Sequence, residues 1–336
     1  MKKAVTCLLV IMLALPMVGS AQSSQDNKIL RTCDSLFFKT DEARRIGDQL
    51  LLFQRVTGGW SKNINMVKPL TDEEAEAVLA SKSRQDDSTI DNHATTMQMA
   101  FLARLFQQTR DERYKAAFCQ AVEFLLSGQY DNGGWPQFWP KNKGYQVHIT
   151  YNDDAMINVM KLLWDVLQRA APYDATLVDE TMRQRCEQAF NKGVDCILRT
   201  QIVVDGEPTV WCQQHDHETL QPAKARSYEL PSFVSHESAT IVAFLMQLPD
   251  PDERIIRAVN GAMKWFTAHQ LKADYPLWAR FYDLQEGLPF FCDRDGQPKR
   301  RLEDISDERR NGYSWYSKSP AMLFEQYEHW KEKNLR

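Results

Sequence analysis

A glutamine followed within a few residues by a tryptophan recurs four times along the chain: Gln54 and Trp60, Gln129 and Trp135, Gln201 and Trp211, Gln270 and Trp278. The tryptophans step by 75, 76 and 67 residues, and each glutamine closes a segment whose apolar residues recur with helical spacing. A period sustained over most of a chain is the mark of one supersecondary unit stacked on the next. Each step has room for one helical hairpin: about 91 to 108 with 111 to 129, 153 to 169 with 178 to 201, and 235 to 247 with 252 to 270. The first two helices flank a very short connection and must pack antiparallel. Helices at about 41 to 55 and 319 to 333 flank the hairpins, and Thr71-Asp72-Glu73-Glu74 has capping-box spacing for a short helix to about Ser81. An open solenoid and a closed ring both satisfy such a repeat. The closed form is favoured, so the expected fold class is all-α, an α/α toroid of three helical hairpins with long irregular loops and small β-ribbons at 145–150 and 202–204.

With 336 residues, 43% of them hydrophobic and 26% charged, the chain can bury a sizeable core. Lys2 and Lys3, an apolar run from Ala4 to Val18 broken by Pro16, and the small residues Gly19 and Ala21 read as a signal peptide over 1–21, cleaved near Ala21. Residues 22–40 are expected to be a linker and 41–336 the toroid domain. A secreted or periplasmic monomer follows as the expectation. No later stretch is long and apolar enough to span a bilayer, so no membrane partner is expected. Without the signal, 39 basic side chains face 45 acidic ones, which gives no electrostatic case for nucleic acid. The six remaining cysteines, Cys33, Cys119, Cys186, Cys196, Cys212 and Cys292, are scattered; an oxidising compartment permits bridges that a fold of this size does not require.

Chemistry concentrates at the starts of the incoming helices. Asn152, Asp153 and Asp154 stand directly ahead of the apolar run 155–164, behind Tyr151 and downstream of the aromatic, Gly-rich loop 131–140. One capping residue is enough for a helix N-terminus; three oxygen-bearing side chains suit a hard cation. The first incoming helix starts Asp91-Asn92-His93 and the third His236-Glu237-Ser238. In a hairpin toroid all three starts lie at one end, so their polar groups converge on one rim below the tryptophan loops. Capping explains each start singly, but not why charge and aromatics share that rim. Cys212, His215 and His217 carry possible zinc ligands without the paired spacing of a structural site, and His215 and Asp216 equally suit a sugar or the loop itself. Arg226, Arg280 and Arg310 lie among Trp and Tyr, where guanidinium stacks on rings and pairs with carboxylates. These ingredients imply a ligand that is both a sugar and an acid.

The motifs resemble the pectate lyases of polysaccharide lyase family 10. The resemblance is carried by Gly58-Gly59-Trp60-Ser61-Lys62-Asn63, Thr89-Ile90-Asp91-Asn92, Gly133-Gly134-Trp135-Pro136-Gln137, residues 149–156, Gln214-His215-Asp216, Ala225-Arg226-Ser227-Tyr228-Glu229, Trp278-Ala279-Arg280-Phe281, Arg294-Asp295-Gly296 and Arg310-Asn311-Gly312-Tyr313, in order across about 45 to 330. It implies an α/α toroid and Ca²⁺-assisted β-elimination of polygalacturonate (pectate), in which Asp153, Asp91 and Asp154 hold Ca²⁺ with Asn92 beside them. Arg226 matches the family's base and Arg310 a substrate-carboxylate ligand; Lys62, Arg280, Asn92, Trp135, His215 and Tyr228 complete the expected substrate contacts. Arginine acts as a base only where its neutral form is favoured, so activity is expected to rise into the alkaline range, with Tyr228 and Lys224 as fallback bases. His236 and Glu237 hold the third rim position without an assigned task. The rival readings are a glycoside hydrolase using Asp91 and Asp153, a prenyltransferase or terpene cyclase with zinc at Cys212, and a non-catalytic pectate-binding protein.

Overall fold

The computed structural model describes residues 27–334; the expected signal segment, residues 1–21, lies outside them. In chain order the α-helices are α1 (Ile29–Thr32), α2 (Asp41–Phe53), α3 (Asp72–Ala80), α4 (Thr96–Thr109), α5 (Glu112–Gly128), α6 (Ala155–Leu167), α7 (Glu180–Thr200), α8 (Ser235–Gln247), α9 (Glu253–Ala268), α10 (Asp307–Gly312) and α11 (Ala321–Asn334). Helix α4 pairs with α5, α6 with α7 and α8 with α9. Across the hairpins α2 packs on α4, α4 on α6, α6 on α8 and α8 on α11, while α5 packs on α7 and α7 on α9. The fold is therefore an α/α toroid of three hairpins, with an inner row α4, α6, α8 and an outer row α5, α7, α9.

Burial follows from that placement. Inner helix α6 buries Ala155, Met156, Ile157, Val159, Met160, Leu162, Leu163 and Val166, most of its circumference. Outer helix α7 is longer and buries one stripe, Cys186, Ala189, Phe190, Gly193, Cys196, Ile197 and Thr200. A helix enclosed by neighbours must be apolar nearly all round, whereas one with a solvent face carries a single apolar stripe. The described strands are two residues long and pair as two-stranded ribbons, which add single buried side chains such as Ile149, Phe233 and Trp278 to a core built by the helices. All six cysteines among the described residues are free. No helix of the described residues is long and apolar enough to cross a membrane.

Within the stretch expected to be a linker, Asn27, Leu30 and Phe38 are anchored to the domain. Asn27 donates its amide to Ile64 O at 2.7 Å and accepts Met66 N–H at 3.0 Å. Leu30 and Phe38 are buried in the main core.

The Gln–Trp repeat proves to be a clamp. The indole N–H of Trp60, Trp135, Trp211 and Trp278 donates to Leu50 O, Leu125 O, Ile197 O and Phe266 O at 2.7–2.9 Å. Each acceptor lies four residues before its glutamine, in the last helical turn; Leu50 O also accepts the Gln54 N–H, at 3.0 Å. The glutamine amide then bonds its own loop and the next outer helix: Gln54 to Gly58 O and Ala117 O, Gln129 to Gly133 O and Ala189 O, Gln201 to Thr209 O and Ala258 O. Gln270 follows the last hairpin, has no further one to bind, and is exposed. Gly58 and Gly133 have φ of +93° and +94°, and a Cβ at either would run into the carbonyl oxygen of Gln120 or Lys192 on the neighbouring outer helix.

Gln201→Ala removes the two hydrogen bonds that tie the loop to α9 and is expected to lower stability by roughly 1–3 kcal/mol, at about 0.5–1.5 per bond. Urea denaturation checks this, and an unchanged midpoint would remove the clamp from the energetics of the repeat.

Candidate active site

The two rows of helices start differently. Outer helices α5, α7 and α9 open with an aspartate whose carboxylate accepts a first-turn N–H: Asp111 from Arg113, Asp179 from Met182 and Asp252 from Ile255, at 2.8–2.9 Å. Inner helices α4, α6 and α8 have no side-chain cap. The capping reading of the 152–154 stretch, with Asn152 ending the loop, does not hold. Asn152 instead donates to Asp153 Oδ2 at 3.0 Å and accepts Gln213 Nε2 at 2.9 Å. The first inner helix also starts later than expected, at Thr96, because Asn92, His93 and Thr95 take positive φ. Asp153 and Asp154 do the same at 53° and 58°. Left-handed conformations are unfavourable for non-glycine residues, and such strain collects at functional sites.

The three starts do converge. The turn Asp91–His93 packs against the turn Asn152–Asp154, and α8 packs on the latter. Asp91 is buried; it pairs with the Lys62 ammonium and accepts Gln137 Nε2 at 2.8 Å. Glu237, also buried, pairs with Arg280 and accepts Gln213 Nε2 at 3.0 Å. Asp153 reaches solvent from the crowded rim, and an acid so placed keeps contact with water yet loses part of its hydration. That desolvation, then the charges of Asp91 and Glu237, raise its pKa to about 7 against the pull of Arg280 and Arg226. Burial and Glu237 likewise raise Asp154, with Thr240 opposing. Burial alone would raise Glu237, but Arg280, His236 and Gln213 outweigh it and hold the carboxyl below its ordinary value.

Arg226 stands at the outer edge of the rim, exposed, with its Nε 2.7 Å from Glu229 Oε2 and its Nη2 on Glu229 Oε1. Its guanidinium lies 5.1 Å from the Tyr228 ring centroid and 5.7 Å from that of Tyr313. Partial burial would lower its pKa, but Glu229 overrides that and pushes it up. Tyr313 joins the two arginines: Arg280 lies 4.8 Å over its ring and its hydroxyl donates to Glu229 at 2.9 Å. Beneath them Tyr228, Phe281, Phe290, Phe291 and Trp315 form a second, smaller core.

Among the expected substrate contacts, Lys62, Asn92, Arg280 and Tyr228 lie on or beside the rim. Arg280 is nearly buried and committed to Glu237. Trp135 and His215 offer no face to a ligand. Trp135 is 0% exposed and spends its indole N–H on Leu125 O; His215 is 0% exposed, its Nδ1 at 2.9 Å from Leu220 O and its Nε2 accepting Cys212 N–H. Arg310 bonds Glu303 O and Ile305 O and pairs with Asp307; its neighbour Arg309 is the one that lies over Tyr228, at 4.7 Å. Sequence reasoning missed Gln137, Gln213, Glu229 and Tyr313, and left Glu237 without a task. A signal was present for two of them: Lys62, Gln137, Gln213 and Arg280 each stand two residues after a repeat tryptophan, and all four enter the rim. Away from the rim, His148, Asp216 and His217 form a separate cluster able to hold a metal.

The family model described as pectic acid lyase matches residues 54–324. Among solved structures, the chain is similar to a family 10 polysaccharide lyase from Cellvibrio cellulosa, seen as an aspartate-to-alanine mutant in complex with trigalacturonic acid. Identity is 31%, with 94% of this chain and 99% of that chain covered and a TM-score of 0.77. A second structure of the family 10 lyase from that organism gives 31% identity, 96% and 98% coverage and a TM-score of 0.76. No curated protein sequence matches the chain. The fold and its relatives define a polysaccharide lyase. The chain belongs to the pectic acid lyase family, and its activity is that of a pectate lyase.

The raised pKa of Asp153 has a consequence for stability. The carboxyl ionises at its ordinary value of 3.8 in the unfolded chain but at about 7 in the folded one. The folded state is therefore penalised progressively as pH rises through that window, and fully above it. In Ca²⁺-free buffer Asp153→Asn is expected to raise Tm above pH 7, with the gain vanishing near pH 4. A gain independent of pH in thermal melts would contradict the shift.

Proposed function

We propose that this pectate lyase cleaves polygalacturonate by β-elimination with Ca²⁺ held at the carboxylate rim, giving unsaturated oligogalacturonides. The observation that carries the reading is the uncapped convergence of Asp91, Asp153, Asp154 and Glu237 on one rim, where Asp154 Oδ1, Glu237 Oε2 and Gln213 Oε1 are buried without hydrogen-bond partners. An all-oxygen donor set with surplus negative charge fits a hard cation. Asp153, Asp91 and Asp154 would hold it, and Glu237 with Gln213 would support them. Bound there, Ca²⁺ would neutralise the uronate carboxylate and so acidify the adjacent C5 proton.

The chain's own part is positioning and proton transfer. β-Elimination removes the C5 proton, forms the C4–C5 double bond and breaks the bond from C4 to the glycosidic oxygen. Arg226 is exposed beside this rim and its guanidinium suits a substrate carboxylate. It accepts the C5 proton only in its neutral form, which Glu229 opposes by pushing its pKa up. The rate should therefore rise with pH. We further propose that the mature enzyme acts outside the cytoplasm, on the charged, apolar and small-residue pattern of residues 1–21.

With polygalacturonate, ultraviolet absorbance of the unsaturated product should grow in Ca²⁺ and stop on chelation. Asp153→Ala should lower kcat/KM by at least about 100-fold; full Ca²⁺-dependent cleavage by that variant would sink the cation site. Glu229→Gln removes the charge that raises the Arg226 pKa, so the alkaline limb of the rate profile should move to lower pH. A limb that stays in place would exclude Arg226 as the base.

A further inference from the structure

Two histidines and an aspartate meet at the end of a ribbon whose other end enters the rim. The ribbon pairs Ile149 with His215 and Thr150 with Gln214. At the rim end, Gln213 O accepts the N–H of Tyr151 at 2.8 Å and of Asn152 at 3.0 Å. At the far end the two strands continue into His148 and into Asp216 and His217. One ring nitrogen of each histidine and one Asp216 oxygen lie within 4.8 Å of one another.

The distances do not describe an ordinary imidazole–carboxylate pair. His148 Nδ1 and Asp216 Oδ2 stand 3.7 Å apart, beyond the roughly 2.8 Å of such a hydrogen bond. They are close to the separation of about 3.3 Å between ligand atoms of a tetrahedral metal at about 2.05 Å. Nδ1 of both histidines is buried without a hydrogen-bond partner, whereas buried ring nitrogens normally find one. Asp216 is preset for a ligand: its Oδ1 accepts the N–H of Glu218 at 3.1 Å and both the N–H and the hydroxyl of Thr219 at 2.8 and 3.0 Å, leaving Oδ2 towards His148. The second-repeat loop holds both histidines, since Asn132 Nδ2 donates to His217 O at 2.6 Å and the Tyr130 hydroxyl donates to Val147 O at 2.7 Å. Cys212 and His215, the other possible zinc ligands in the sequence, are buried just before Asp216, and both ring nitrogens of His215 are engaged, Nε2 by Cys212 N–H and Nδ1 by Leu220 O.

We propose that His148, Asp216 and His217 form a transition-metal site of the Zn²⁺ class that pins the far end of the ribbon carrying Asn152 and Gln213 into the rim. Two imidazoles and one carboxylate suit Zn²⁺ or Co²⁺ and are a poor set for Ca²⁺ or Mg²⁺, which take oxygen ligands. Three protein ligands leave a fourth position to water. The site shares no ligand with the carboxylate rim and does not depend on the proposed elimination.

The test uses tag-free full-length protein, stripped of metal and then saturated with Ca²⁺ to fill the rim. Co²⁺ titration should give one equivalent with the intense visible absorption of a four-coordinate ion, displaced by Zn²⁺ and accompanied by a rise in Tm. His148→Ala and His217→Ala should each weaken binding by at least the roughly 10–100-fold that loss of even an outer partner costs. Asp216→Asn keeps an oxygen for the turn and should weaken binding with the metal-free Tm unchanged, which separates ligand loss from misfolding. Absence of binding, the weak spectrum of six-coordinate Co²⁺, or undiminished binding by the His148→Ala, His217→Ala double variant would each overturn the site.

Discussion

The bond from each repeat tryptophan to a carbonyl of the preceding helix is the interaction on which the remaining structure depends. It ties the indole to a carbonyl of the last helical turn, and it buries the largest side chain available at the point where the chain leaves that helix. The loop that follows is thereby fixed to the helix it came from. Its backbone then lies beside the segment leading into an inner helix: Thr89, Thr150 and Val234 donate their N–H groups to Trp60 O, Trp135 O and Trp211 O. A residue two positions beyond each tryptophan is thus aimed at an inner helix start. Lys62 and Gln137 reach Asp91, and Gln213 and Arg280 reach Glu237. One apolar clamp, used four times, supplies both the packing and the polar lining of the rim.

What the clamp assembles is electrostatically unfavourable. Four carboxylates face one rim; loss of hydration, then the charges of Asp91 and Glu237, raises Asp153 to about 7. Asn92, His93, Thr95, Asp153 and Asp154 add positive backbone φ at the same place. The outer helices carry an aspartate cap each, so the chain readily makes such caps; at the inner starts the acids are turned away from the first helical turn. Stability and function are separated by row: the outer starts secure their helices, and the inner starts are left to chemistry. Burial of the inner helices on most of their circumference offsets that cost.

Much of the fold was legible because a helical hairpin needs only local pattern. The capping box at Thr71, apolar spacing, and glutamines at helix ends placed most boundaries within a few residues. The start of the first inner helix was misplaced, since left-handed φ at Asn92, His93 and Thr95 is imposed by neighbours and leaves no mark in composition. The tryptophans were read as sugar platforms because a Trp in a Gly-rich loop looks exposed. Only packing shows that Gly58 and Gly133 bring those loops against the next outer helix and bury Trp60 and Trp135. His215 misled in the same way, its polarity being spent on Leu220 O and Cys212 N–H.

The sequence by itself determined the repeat, the all-α class, the family resemblance and the three polar helix starts, since periodicity and motif order are properties of a string. The tertiary structure decided which of those polar groups act. Whether an aspartate caps a helix or faces a cleft, whether Arg226 meets Glu229, and whether His217 turns to His148 rather than to His215 depend on contacts between residues tens of positions apart. Those contacts set burial and local charge, and it is burial and charge that fix a side chain's protonation and its freedom to take a ligand.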